Sequence, residues 1–222
     1  KVKKVQKDFE ATHVRPERLM KTLFTDEAYV KANVDEARLM RRLFDLACNM
    51  QSHDTDMQLY SLFTDEECYD LWSCNNLYWY LTHACSPVTD GLMPYREADL
   101  LRNILDRADA ALKEGKKQAT LRFGHESCLL PLVALLELNH YGESYPDVEK
   151  LSEQWRAYDI FPMASNVQFV FFHKKGSNDV LVKVLLNEKE TKLPVKTDVA
   201  PYYHWKDVES YYREKLDKYQ HI

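Results

Sequence analysis

The chain has 222 residues, is 45% hydrophobic and 29% charged, and carries a net charge of −5. That length holds one large domain or two small ones, with enough apolar residues for a core. The acidic balance disfavours a nucleic-acid partner, and five glycines without GxGxxG or GxxxxGK[ST] disfavour a glycine-rich phosphate loop.

The opening residues KVKKVQKDFE are charged and lack the apolar stretch of a signal peptide. A cytosolic protein and a mature or truncated chain both fit that. The first half reads as helices. Leu19, Met20, Leu23 and Phe24 recur at helical spacing between Arg15 and Phe24, and Thr25 then looks like the N-cap of a new helix. A second apolar stripe (Leu39, Met40, Leu43, Phe44, Ala47) follows Asp35-Glu36. Gln51–Asp56 is polar and reads as a loop. Leu62–Ala84 opens with Thr64 as N-cap and Glu67 at the capping-box position. Its NNLYWYL stretch (Asn75–Leu81) reads as an aromatic core stripe, since no basic residues interleave it. Ser86–Pro94, with two prolines and a glycine, is the best linker candidate.

A polar-faced helix is expected from Arg96 to Glu114, ended by Gly115. Ala119–Phe123 reads as a short strand broken by Gly124. A helix then begins near Ser127 and runs to Leu138, apolar on nearly every face and therefore buried by other elements. This is the longest apolar run, and it falls short of membrane-spanning length. Pro131 is tolerable in a first turn, which sets the helix start close to His125 and Glu126. Val167–Phe172 and Val180–Asn187 form a hairpin across Lys174–Asp179, and Glu188–Lys192 is a second turn. Trp205–Tyr219 is an amphipathic helix with Val208, Tyr211, Tyr212 and Leu216 on one side.

The informative segment is ATLRFGHESCLLPLVALLEL, Ala119–Leu138. It places His125 and Glu126 at a strand-to-helix corner. Ligands of α/β sheets bind beyond the carboxyl ends of strands, and helix N-termini suit phosphate. A histidine there can donate to a phosphoryl oxygen, and a carboxylic acid beside it can protonate a departing alkoxide. The same pair is also ordinary N-terminal helix chemistry, because carboxylates favour that end. His53-Asp54 has similar residue types but sits in a polar stretch and reads as a solvated loop. His83, His140, His173, His204 and His221 are scattered without HxxxH or HExxH, so a metal site is not expected. The cysteines (Cys48, Cys68, Cys74, Cys85, Cys128) are odd in number, lack CxxC and read as buried free thiols.

LRFGHESCLLPLVALLEL resembles the C-terminal motif region of the clade-2 histidine phosphatases, which include acid phosphatases, phytases and multiple inositol polyphosphate phosphatases. LFTDEECYDLWSCNNLYWYL resembles the helical cap of the inositol polyphosphate branch, and FPMASNVQFVFF and VKVLLNEKETKLPV resemble the strands that close its sheet. The resemblance implies an α/β fold, a central sheet flanked by helices with a helical cap, incomplete in this chain. Residues 1–94 would be cap, and 95–222 the C-terminal part of the phosphatase domain.

The family's first motif is RHGxRxP, whose histidine accepts the phosphoryl group. No Arg-His-Gly occurs here, so its place would be upstream of Lys1. The resemblance implies phosphomonoester hydrolysis through a phosphohistidine, with inositol polyphosphates such as phytate as substrate and no metal or cofactor. His125 would bind phosphate and Glu126 would donate the proton. Family members show His-Asp or His-Ala-Glu, whereas Glu126 directly follows His125 and is one methylene longer than aspartate. A periplasmic or secreted location is implied. The rivals are a broad acid phosphatase and an inert fragment that binds phosphate or a partner. Sheet edges left unpaired would favour self-association.

Overall fold

A computed structural model of the chain describes residues 1–219. The chain divides into two compact units, Lys1–Tyr78 and the residues from Trp79 onward, each described by itself below. Among the expected histidines, His221 lies outside the described residues.

The first unit is helical: α1 (Val2–His13), α2 (Glu17–Leu23), α3 (Glu27–Asn33), α4 (Glu36–Asn49) and the greater part of α5 (Asp65–His83). Apolar stripes at helical spacing make its core from Phe9, Leu19, Met20, Val30, Met40 and Leu71. The capping box forms as read. Thr64 donates its backbone N–H to Glu67 Oε2 at 2.9 Å, and the Glu67 N–H donates to Thr64 Oγ1 at 3.2 Å. Glu67 also accepts from the Arg18 guanidinium, which holds its carboxyl below the usual carboxylate range. Arg15 pairs with Glu66 and Asp70 at 2.8 and 2.6 Å, so two arginines tie α2 to the first turns of α5. The expected N-cap Thr25 is corrected to Asp26, whose carboxylate accepts from the Tyr29 N–H and starts α3 one residue later.

The second unit is mixed. Strand β1 (Val167–His173) pairs antiparallel with β2 (Val180–Leu186), with Phe169 opposite Val184. The far edge of β2 carries two short strands, β3 (Lys189–Glu190) and β4 (Tyr203–His204). Val182, Val184 and Leu186 alternate into the core, as a period of two requires. The helices of this unit are α6 (Ala98–Glu114), α7 (Glu126–Leu135), the short α8 (Leu151–Gln154) and α9 (Ala157–Ile160), and α10 (Trp205–Tyr219). The fold is thus helical with an antiparallel sheet. In Ser86–Pro94, Ser86 caps the first of two 3₁₀ segments, Pro87–Thr89 and Met93–Glu97. Gly115 closes α6 at φ +65°, a left-handed cap that a side chain would strain.

Three further expectations fail. Residues 119–123 are not a strand among the described residues: the segment has no ladder partner, and Leu121 and Phe123 stand 74% and 94% exposed. A strand exists only through pairing, so local β-propensity is not enough. Pro131 lies in the second turn of α7, not the first. The carbonyl its missing N–H would have served, that of Ser127, lies at the exposed start of the helix, where water can satisfy it. The cysteines are free, but only Cys74 is buried, and Cys128 is exposed. Burial pushes the Cys74 thiol up to about 12 and that of Cys85 to about 11.

Candidate active site

The corner at His125 is built by α7. His125 is the N-cap residue, in extended conformation at φ −111° and ψ 165°, and its carbonyl accepts from the Cys128 and Leu129 N–H groups at 3.0 and 3.1 Å. Its imidazole makes no capping bond and is left for other partners. Glu126 is the first helical residue, so its carboxylate sits at the positive end of the helix dipole. His125 and Glu126 are adjacent and exposed at the open start of the helix. Gly124 has open space where a side chain would go, so it marks the corner without being required by contact.

What holds the corner is the other end of α7. Beyond its exposed first turn the helix is buried from Leu130 to Leu136. The Tyr212 hydroxyl donates to the Leu136 carbonyl at 2.7 Å, and Lys215 Nζ donates to that of Leu135 at 2.7 Å. Lys215 also pairs with Glu137 at 3.1 Å, and the Tyr211 hydroxyl donates to the same carboxylate. Thus α10 satisfies the carbonyls that the end of α7 leaves open. The 3₁₀ segment Met93–Glu97 packs along α7.

One buried titratable group of this unit feels the charge of Glu126. His83, the last residue of α5, is buried, and the charges of Arg96 and Glu126 both bear on it. Burial holds its imidazole below the usual histidine range, Arg96 acts in the same direction, and Glu126 opposes both. Arg122 lies nearby in sequence, with its guanidinium donating to Asn103 Oδ1 at 2.8 Å. His53 is exposed after a 3₁₀ turn, in the loop expected of it. His204 bridges Asp179 and Asp198 at the sheet edge. Among the described residues no group of three or more His, Cys, Asp or Glu side chains is arranged to hold a metal ion. Likewise, no described helix is long and apolar enough to cross a membrane.

Comparison with known proteins decides the family. A model of the histidine phosphatase superfamily (branch 2) matches residues 1–187. The chain belongs to that superfamily. A human protein, multiple inositol polyphosphate phosphatase 1, is 28% identical over 134 residues, covering 54% of this chain and 27% of the human one. Two solved structures of a Bifidobacterium longum multiple inositol polyphosphate phosphatase share the fold. The phosphate complex aligns with TM-score 0.70 and 21% identity, over 82% of this chain and 40% of that one. The inositol hexasulfate complex aligns with TM-score 0.66 and 22% identity, over 79% and 38%. This histidine phosphatase chain therefore spans about a quarter of the human relative and about two fifths of the bacterial one.

Proposed function

We propose that this chain supplies the phosphate-binding and proton-donating part of a phosphomonoester hydrolase for inositol polyphosphates such as phytate. The observation that carries the reading is the His125-Glu126 pair at the amino end of α7, inside the stretch matched by the family model. A histidine belonging to RHGxRxP, upstream of Lys1, attacks phosphorus, and the ester P–O bond breaks. His125 donates to a phosphoryl oxygen while Glu126 gives its proton to the departing alkoxide. Water then attacks phosphorus, the P–N bond of the phosphohistidine breaks to free the imidazole and phosphate, and Glu126 recovers a proton from the attacking water. Splitting one hard displacement into two is the gain of covalent catalysis. Family likeness also favours a periplasmic or secreted setting, with residues 1–94 as the helical cap region.

Phosphate release from phytate and from p-nitrophenyl phosphate tests this, using the chain alone and a longer form that carries RHGxRxP. The longer form turns over phytate, its Glu126→Gln variant falls about 10²–10⁴-fold, and the chain alone is inactive. Turnover by the chain alone overturns the upstream nucleophile. Full activity of Glu126→Gln overturns the proton donor. Equal rates on both esters make it a broad acid phosphatase, and an inactive longer form leaves only phosphate or partner binding.

A further inference from the structure

We infer that His204 is a proton-operated clasp: it holds the β1–β2 turn and the segment 194–202 to the end of the sheet, and it lets the segment go when its ring loses a proton. Both ring nitrogens meet carboxylates. Nδ1 lies 3.1 and 3.0 Å from the two oxygens of Asp179, and Nε2 lies 3.0 Å from Asp198 Oδ1. Asp179 ends the turn between β1 and β2, and Asp198 lies in the stretch that leads into β4. Among the described residues, the other hydrogen bonds of the turn stay within 173–179: Ser177 N–H to the Lys174 carbonyl, Asp179 N–H to Ser177 Oγ, and His173 Nε2 on the Ser177 carbonyl. The segment likewise closes on itself, since Thr197 Oγ1 donates to the Tyr202 carbonyl at 2.7 Å and accepts from the Val199 N–H at 3.2 Å. Among the described residues, the contact of Asp198 with His204 is the hydrogen bond that ties 194–199 to anything outside the segment.

A neutral imidazole has one N–H, so it donates to one carboxylate and turns a lone pair toward the other. Holding both aspartates therefore requires the imidazolium. Asp179 offers two oxygens and its side chain is 53% exposed, whereas Asp198 offers one and is 83% exposed. The remaining proton stays on Nδ1 with Asp179, and Asp198 is released with its segment. Leu181 of β2 stands opposite His204, and Lys183, on that same face of β2, is bound to Glu190 at 3.0 Å. Lys206 and Asp207, in the first turn of α10, make no hydrogen bond or ion pair with the ring among the described residues. The two aspartates thus decide its state, and their hydrogen bonds, Asp179 first, hold it above the usual histidine range. His204 in turn lowers the Asp198 carboxyl. The clasp is closed between the folded Asp198 value and the folded His204 value, and it opens as pH rises through the latter.

Nuclear magnetic resonance of the whole chain tests this. Nitrogen shifts of the His204 ring read its charge and tautomer. Amide hydrogen exchange, corrected for the intrinsic effect of pH, reads the segment at Val199 and Tyr202 and the turn at Ser177 and Asp179. As the ring loses its proton, protection of Val199 and Tyr202 falls about two- to fivefold, the range an exposed ion pair supports. Ser177 and Asp179 keep theirs, and the neutral ring carries its proton on Nδ1. Asp198→Asn abolishes the step at Val199 and Tyr202. In Asp179→Asn the neutral ring donates to Asp198, and the segment stays protected through the titration. Protection at Val199 and Tyr202 that does not change across the wild-type titration overturns the inference, as does release of the turn with the segment still held. A step that survives His204→Gln also overturns it, because another group then carries the proton. Both aspartates are more than half exposed, so their variants keep the test standing if His204→Gln does not fold.

Discussion

Lys215 lies 3.1 Å from Glu137 while its Nζ donates to the Leu135 carbonyl at 2.7 Å. One ammonium therefore both caps α7 and neutralises the carboxylate that follows it. Burial still outweighs Glu137 and holds the lysine below its usual range. Lys215→Met removes the cap and leaves Glu137 without its cation. The expected loss is about 1–3 kcal/mol in urea unfolding. An unchanged midpoint would mean the end of α7 is satisfied without α10.

His204 makes contacts of 3.0 Å with both Asp179 and Asp198, and these acceptors raise its pKa above the usual value. A raised folded pKa means a contribution fully present below the unfolded pKa and lost as pH rises through the folded one. The bridge to Asp198 sets a lower limit too, because His204 lowers that carboxyl, and its share is lost as pH falls through the folded Asp198 value. Melting temperatures of wild type and His204→Gln should differ most in mildly acidic buffer and converge toward alkaline pH. A gap that widens with pH would reverse the sign argued here.

Thr64→Ala should cost about 1 kcal/mol by thermal unfolding, since it removes the acceptor of the Glu67 N–H. Thr64→Ser should retain most of the stability, because the hydroxyl is what matters. Equal losses in the two variants would point to the methyl group's packing instead.

Among the described residues β1 pairs with β2 alone, so its other edge presents unpaired backbone, and Phe172, Leu121 and Phe123 are exposed. Such edges recruit other strands. Sedimentation should show the chain self-associating at tens of micromolar. Leu121→Lys with Phe123→Lys should shift it toward monomer and change stability by less than about 0.5 kcal/mol, as surface substitutions do. A stable wild-type monomer would contradict this.

Features with local causes were legible in advance. The Thr64–Glu67 capping box, the Gly115 cap, the β1–β2 hairpin and α10 all depend on residues a few positions apart. The His125-Glu126 corner was legible because a helix start follows from its own apolar run. Ala119–Phe123 was misread as a strand for the opposite reason: strands require a partner that local sequence does not name. Pro131 was placed a turn too early, because its cost depends on whether one specific carbonyl can reach water.

The amino-acid order alone thus located the start of α5 at its capping box, the Gly115 end of α6, the β1–β2 hairpin and the helix start at His125-Glu126. These outcomes depend on bonds between near neighbours. Only tertiary structure decided that α10 secures the carboxyl end of α7, that Ala119–Phe123 stays unpaired, and that the Met93–Glu97 segment packs along α7. Burial and charge act through space, and the groups they join here are distant along the chain.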